Sequence, residues 1–179
     1  MLFDLIASET SPLSLSEEDA AALAACGHGT ILLDVAARAD ATLIAFTGTN
    51  GWITLSLRAG RLDGEQALGA VGLLEGPSGA GSEGGVQRRV LDAEDALGLD
   101  DGRPHTIAVT VNETGTHLYA DGYECFSTTL TAFLAQIGLT DVRIDPDGIA
   151  TVTRLAAWAE PLSDRAVMAQ SLAATPMVQ

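Results

Sequence analysis

The clearest feature of the chain is alternation. In Trp52–Arg58, Ile53, Leu55 and Leu57 fall on one side while Trp52, Thr54, Ser56 and Arg58 fall on the other, the period of two that marks a strand with one dry face. Thr106–Asn112 repeats the pattern, with Ile107, Val109 and Val111 inward and Thr106, Ala108, Thr110 and Asn112 outward. Similar β-branched runs are predicted at Thr30–Ala36, Ala41–Thr47, Arg61–Gln66, Val86–Leu91, His117–Ala120, Glu124–Thr129, Val142–Ile144 and Ala150–Trp158. Gly, Asn and Asp divide them at intervals of roughly 8–12 residues, the spacing of an antiparallel all-β sandwich.

Two dipeptides place hairpins. Ala59-Gly60 joins the strand ending at Arg58 to the one starting at Arg61, and Asp121-Gly122 is the pair favoured in type I′ turns. Helical texture is confined to the ends. Ser14–Ala25 has Ser14 or Ser16 as N-cap, acids in its first turn and then Ala and Leu, and Pro161–Ala173 reads as a terminal helix. Gly76–Gly85 (GPSGAGSEGG) reads as a mobile surface loop, and Thr175–Gln179 as a frayed end.

Composition narrows the partners. With 47% hydrophobic residues in 179, the chain is predicted to be one globular domain over 1–179, its core at about 29–167. The formal charge is −15, and all nine basic residues are Arg. Such a balance argues against nucleic acid and anionic membrane as partners, and the absence of Lys excludes Schiff-base and Walker-lysine chemistry. Nothing before Ser14 is basic, unlike a secretory signal, so the expected location is cytoplasmic, or extracellular if the chain is part of a larger secreted protein. Cys26 and Cys125 are too few for a disulfide framework; both two free thiols and one bridge are open.

Three blocks, in order, resemble the laminin-G-like, concanavalin A-like jelly rolls found at the head of bacterial sialidases. These are Ala41–Gln66 (ATLIAFTGTNGWITLSLRAGRLDGEQ), Leu99–Gly122 (LDDGRPHTIAVTVNETGTHLYADG) and Ala150–Val167 (ATVTRLAAWAEPLSDRAV). The middle block is the most specific, with Asp-Gly before His105 and a closing Leu-Tyr-Ala-Asp-Gly; Pro104 stands where the family has Trp. The resemblance implies a concanavalin A-like antiparallel β-sandwich with a short N-terminal and a C-terminal helix. It also implies a non-catalytic carbohydrate-binding module for sialic acid or another acidic glycan, gripped by Arg with Glu and aromatic support. Glu65 matches the family's Glu, whereas the Arg usual two residues later is Ala67; Arg88 or Arg89 are the candidate replacements.

The residues expected to bind a glycan or small-molecule ligand are Trp52, Arg58, Arg61, Glu65, Arg88, Arg89 and Tyr123. Arg suits an acidic sugar because its planar fork meets a carboxylate bidentately. The rival reading is a stand-alone enzyme or biosynthetic accessory protein on the same sandwich, and a third is an interaction domain with an empty sheet face. Asp63 and Glu65 at i, i+2 are the acid/base candidates, with His105 beside them. His105 also fits a structural role, tying two loops by hydrogen bonds, and the paired acids fit a solvated strand face. No cofactor is expected, apart from one structural calcium for which Asp145 and Asp147 are the candidate ligands; a plain Asp turn competes with that site. His28, His105 and His117 are too scattered in sequence to argue for a metal triad. Trp158 is expected in the core.

Overall fold

A computed structural model describes residues 1–8, 13–68, 87–92 and 97–174, with only the backbone at 68, 87–92 and 174. In chain order the elements are β1 (Phe3–Ile6), α1 (Glu17–Ala24), β2 (Gly29–Ala36), β3 (Ala41–Gly48), β4 (Gly51–Arg58), β5 (Arg61–Leu68) and β6 (Gln87–Asp92). Then follow β7 (His105–Val111), β8 (Thr116–Ala120), β9 (Tyr123–Thr128), α2 (Leu134–Ile137), β10 (Leu139–Ile144), β11 (Thr151–Trp158) and α3 (Asp164–Ala174). The strands form two antiparallel sheets. One has six strands in the order β1-β11-β2-β7-β8-β9 and the other five in the order β10-β3-β4-β5-β6.

The core lies between the sheets. Ile31, Leu33, Val35, Ile107, Val109 and Leu155 from the six-stranded sheet meet Phe46, Leu55, Leu57 and Leu62 from the five-stranded one. Each such side chain contributes about 1.5–3 kcal/mol on burial. Every predicted strand is present to within a few residues, and Ser16 is the α1 N-cap, its hydroxyl accepting from the Asp19 amide at 3.1 Å. Two elements have no forecast. β1 is a four-residue edge strand held by β11, with Phe3 opposite Ala157, and α2 is a single turn ended by Gly138 in the left-handed region at φ 64°. Both are too short for periodicity to register.

The outer faces of the two sheets differ. Outward positions on β2, β7, β8 and β11 are buried: Leu32, Ala108, Tyr119, Ala156 and Trp158 pack against Val167 of α3 and Leu162 just before it. The small polar face of Thr106–Thr110 is therefore not open, because the C-terminal helix lies over it. Trp158 is in the core as expected, within this second cluster. Polar groups under the helix are paired: the Thr30 hydroxyl lies 3.0 Å from that of Thr110 and accepts from the Leu162 amide at 2.8 Å. The Tyr119 hydroxyl donates to Asp164 at 2.8 Å. Burial, then the neighbouring Asp164 carboxylate, pushes the Tyr119 phenol well above its ordinary pKa, so it remains a donor.

Candidate functional site

The outer face of the five-stranded sheet carries the alternation read from β4. Its geometry follows from register. Trp52 lies opposite Thr47 on β3 and Ala67 on β5; Thr54 opposite Ala45 and Glu65; Ser56 opposite Thr42 and Asp63; Arg58 opposite Arg61. On the far side of β3, Asp141 and Arg143 of β10 extend the first two rows, and their side chains pair with Nε to Oδ2 at 2.8 Å. On the far side of β5, Arg88 of β6 lies opposite Ala67, Val90 opposite Glu65 and Asp92 opposite Asp63.

Across the β5–β6 pair, Arg88 lies directly opposite Ala67. Arg89 lies opposite Gln66, which is buried and lines the space between the sheets. Arg88 and Arg89 thus take alternate backbone positions on β6; the side chains of both lie outside the described residues. Trp52, Glu65 and the Arg88 position share one end of the face. Arg58 and Arg61 lie at the other end, six residues along β4, a separation of about 20 Å at ~3.3 Å per residue.

The β4–β5 turn holds that far end. Ala59 and Gly60 have φ of 50° and 74°, both positive as a type I′ turn demands, and the Ala59 amide donates to Asp40 Oδ1 at 2.7 Å. At the Trp52 end the β3–β4 turn is braced by α2: Thr49 N donates to Gly138 O at 3.0 Å and Asn50 N to Ile137 O at 2.9 Å.

The other predicted residues lie elsewhere. Tyr123 begins β9 on the six-stranded sheet and is 69% exposed, so it does not share the open face with Trp52. His105 stands at the rim of that same sheet, away from Asp63 and Glu65, so the three acid/base candidates do not converge. Asp63 and Glu65 are themselves engaged in polar contacts. Asp145 Oδ1 accepts from the amides of Ile149 and Ala150 at 3.1 and 3.0 Å and so stabilises its own turn, while Asp147 Oδ2 accepts from the Thr42 amide of β3 at 3.1 Å and ties the turn to that strand. Among the described residues no group of three or more His, Cys, Asp or Glu is placed to hold a metal. Cys26 and Cys125 are free. Burial raises both thiol pKa values, that of Cys125 to about 11, so neither offers a thiolate at neutral pH.

His105 ties two loops. Its Nδ1 lies 2.8 Å from Asp121 Oδ2 and its Nε2 3.1 Å from Asp101 Oδ1, while Asp121 Oδ1 also accepts from the Thr106 amide at 2.9 Å. Burial disfavours charge on the ring, but the two hydrogen bonds and two negative charges outweigh it, and the His105 pKa is raised. A raised folded-state pKa stabilises fully below the unfolded value of about 6.5 and loses that contribution as pH rises through the folded value. We expect the melting temperature of the native protein to fall relative to that of His105→Gln as pH is raised across this window. Thermal melts of both proteins on a common pH series check it; parallel curves would contradict a charged clamp.

The chain matches no family model and no curated protein sequence. Its fold matches the CBM40 of the Ruminococcus gnavus IT-sialidase with a TM-score of 0.66, 17% identity and coverage of 96% of this chain and 99% of that one. The fold is a lectin-like jelly roll. The same module bound to α2,3-sialyllactose aligns at 0.64 and 17% identity, covering 95% of this chain and 98% of that one. The binding domain of botulinum neurotoxin serotype C1 aligns at 0.59 and 9% identity, over 89% of this chain and 39% of that one. At these identities the likeness is one of architecture, and function has to be argued from the site.

Proposed function

We propose that this protein is a non-catalytic carbohydrate-binding module that takes an acidic glycan, sialic acid foremost, on the open face of the five-stranded sheet. The carrying observation is the row in which Trp52, Ala67 and Arg88 stand side by side, with Glu65 in the adjoining row. In this reading Trp52 offers an aromatic surface to a sugar ring, Glu65 accepts from sugar hydroxyls, and the Arg88 guanidinium meets the sugar carboxylate bidentately. Support also comes from the CBM40 likeness, since structures of that module contain α2,3- and α2,6-sialyllactose. The acidic surface opposes an anionic ligand at long range, but the Debye length of about 8 Å at physiological salt confines that repulsion to near neighbours.

Calorimetric titration tests the reading. Native protein is expected to bind α2,3-sialyllactose saturably and lactose far more weakly, and Arg88→Ala to lose about 2 kcal/mol or more, some 30-fold in affinity. Equal affinity for lactose and sialyllactose, or an unaffected Arg88→Ala, contradicts the assignment.

A further inference from the structure

A strand at the edge of a sheet carries a row of unused backbone groups, and β10 is one edge of the five-stranded sheet. Register shows which groups these are. The Asp145 amide donates to Leu43 O at 2.9 Å, while Arg143 lies opposite Ala45 and Asp141 opposite Thr47, so alternation makes these the bonded pairs with β3. Val142 and Ile144 therefore turn their amides and carbonyls away from the sheet, and among the described residues those groups have no partner. Past the bulge at Thr140 the stretch is regular. Helix α1 does not close this edge: between its Ala20, Ala21 and Ala24 and the strand lies a groove of about 340 Å³.

Charge sets this edge apart. Asp141 and Arg143 flank Val142 on one face and are 48% and 71% exposed. A two-fold axis through Val142, perpendicular to the sheet, sets Asp141 of one copy opposite Arg143 of another and Arg143 opposite Asp141, while the two Val142 residues exchange both backbone bonds. The strand is thus complementary to its own copy, and each charge gains a second counter-charge in a network of four. Of the edge strands with described side chains, β10 alone carries both signs. On β1 the one charged residue, Asp4, is held by Arg154, and on β9 the one charged residue is Glu124.

We propose that β10 is a self-association edge, through which two copies of this chain pair antiparallel around Val142 and join their five-stranded sheets into one of ten strands. Both open faces then lie on the same side. Arg143 of the second copy lines up with the row of Asp141, Thr47 and Trp52. The two Trp52 positions stand about 25 Å apart, across five strand intervals of ~4.8 Å and an offset of two residues. The contact is short and each chain carries a formal charge of −15, so the dimer is a weak one. It stands whether or not the face binds a glycan.

Sedimentation equilibrium of the full chain tests the pairing. Native protein is expected to show a monomer–dimer equilibrium with a Kd on the order of 100 µM. Asp141→Arg sets Arg opposite Arg and Arg143→Asp sets Asp opposite Asp, and each weakens the dimer at least about tenfold. Asp141→Arg/Arg143→Asp restores complementarity and returns the Kd to within about threefold of native. Hydrogen exchange on native protein locates the contact without any variant: the Val142 amide should exchange about threefold more slowly at ~500 µM than at ~10 µM. Native protein that stays monomeric at ~500 µM overturns the proposal, as does a dimer in which the Val142 amide gains no protection. Single variants that associate as well as native protein, or a folded double variant that fails to recover, overturn it too.

Discussion

Replacing Arg154 with Met is expected to lower the unfolding free energy by about 3 kcal/mol, the low end for breaking a buried ion pair because one partner is partly solvated. Arg154, on β11, is the junction of four elements. Its Nε and Nη2 each lie 2.8 Å from an Asp4 oxygen on β1, Nη2 is also 3.1 Å from Gln170 Oε1 on α3, and Nη1 is 3.9 Å from Asp34 Oδ2 on β2. The Arg154 side chain is 11% exposed and that of Asp34 12%. Methionine fills much of the volume but leaves two carboxylates without a counter-charge under a helix. For a domain of this size the melting temperature should fall by on the order of 10 °C. The pH dependence gives a sharper check. Burial already raises the Asp34 pKa, against the Thr106 hydroxyl and the Arg154 charge, which lower it. Without Arg154 it rises further, so protonation of Asp34 relieves part of the penalty and the deficit narrows as pH is lowered. Urea unfolding of both proteins at neutral and acidic pH measures this. A deficit that widens toward acid would show that Asp34 is not the group left stranded.

Gly48→Ala should cost a similar amount by a different route. A Cβ at this position would lie 2.1 Å from Ile137 O and 2.8 Å from the Gly138 carbonyl carbon, and these are backbone atoms that no rotamer change can move. Either β3 or α2 must shift. Overpacking of this kind costs about 1–3 kcal/mol, and the shift also loosens the bonds from Thr49 and Asn50 to the α2 turn, each worth about 1 kcal/mol. Phe133, Leu134 and Ile137, all buried, would lose part of their packing with it. Because this turn braces the Trp52 end of the open face, we expect glycan affinity to fall along with stability. Denaturant unfolding and sialyllactose titration of the same variant separate the two effects. A loss below about half a kcal/mol would mean that the turn relaxes freely, which surface substitutions commonly do.

The two outer faces were unequally legible. On β4 the run Trp, Thr, Ser, Arg between Ile and Leu announces one wet and one dry side; the structure keeps Ile53, Leu55 and Leu57 dry and leaves Trp52 and Thr54 half-buried and Arg58 exposed, while Ser56 is buried. On β7 the same alternation, Thr, Ala, Thr between Ile and Val, leads to a buried face, because α3 returns from the far end of the chain to cover it. Local alternation reports which residues share a side and says nothing about what later packs on that side. β2 carried only part of the missing signal: its outer positions are Thr30, Leu32 and Asp34, and Leu32 alone among them is apolar.

For the candidate site the division is similar. Composition, spacing and turn chemistry by themselves determined an acidic, lysine-free, antiparallel sandwich with hairpins at Ala59-Gly60 and Asp121-Gly122, because these depend on neighbours within a few residues. Only the tertiary structure decided that α3 covers the outer face of the six-stranded sheet, that Arg88 rather than Arg89 lies opposite Ala67, and that Arg58 and Arg61 lie a strand's length from Trp52. Those outcomes depend on cross-strand register and on contacts between residues far apart in sequence. A shift of one residue in β6 would have exchanged the two arginines between faces.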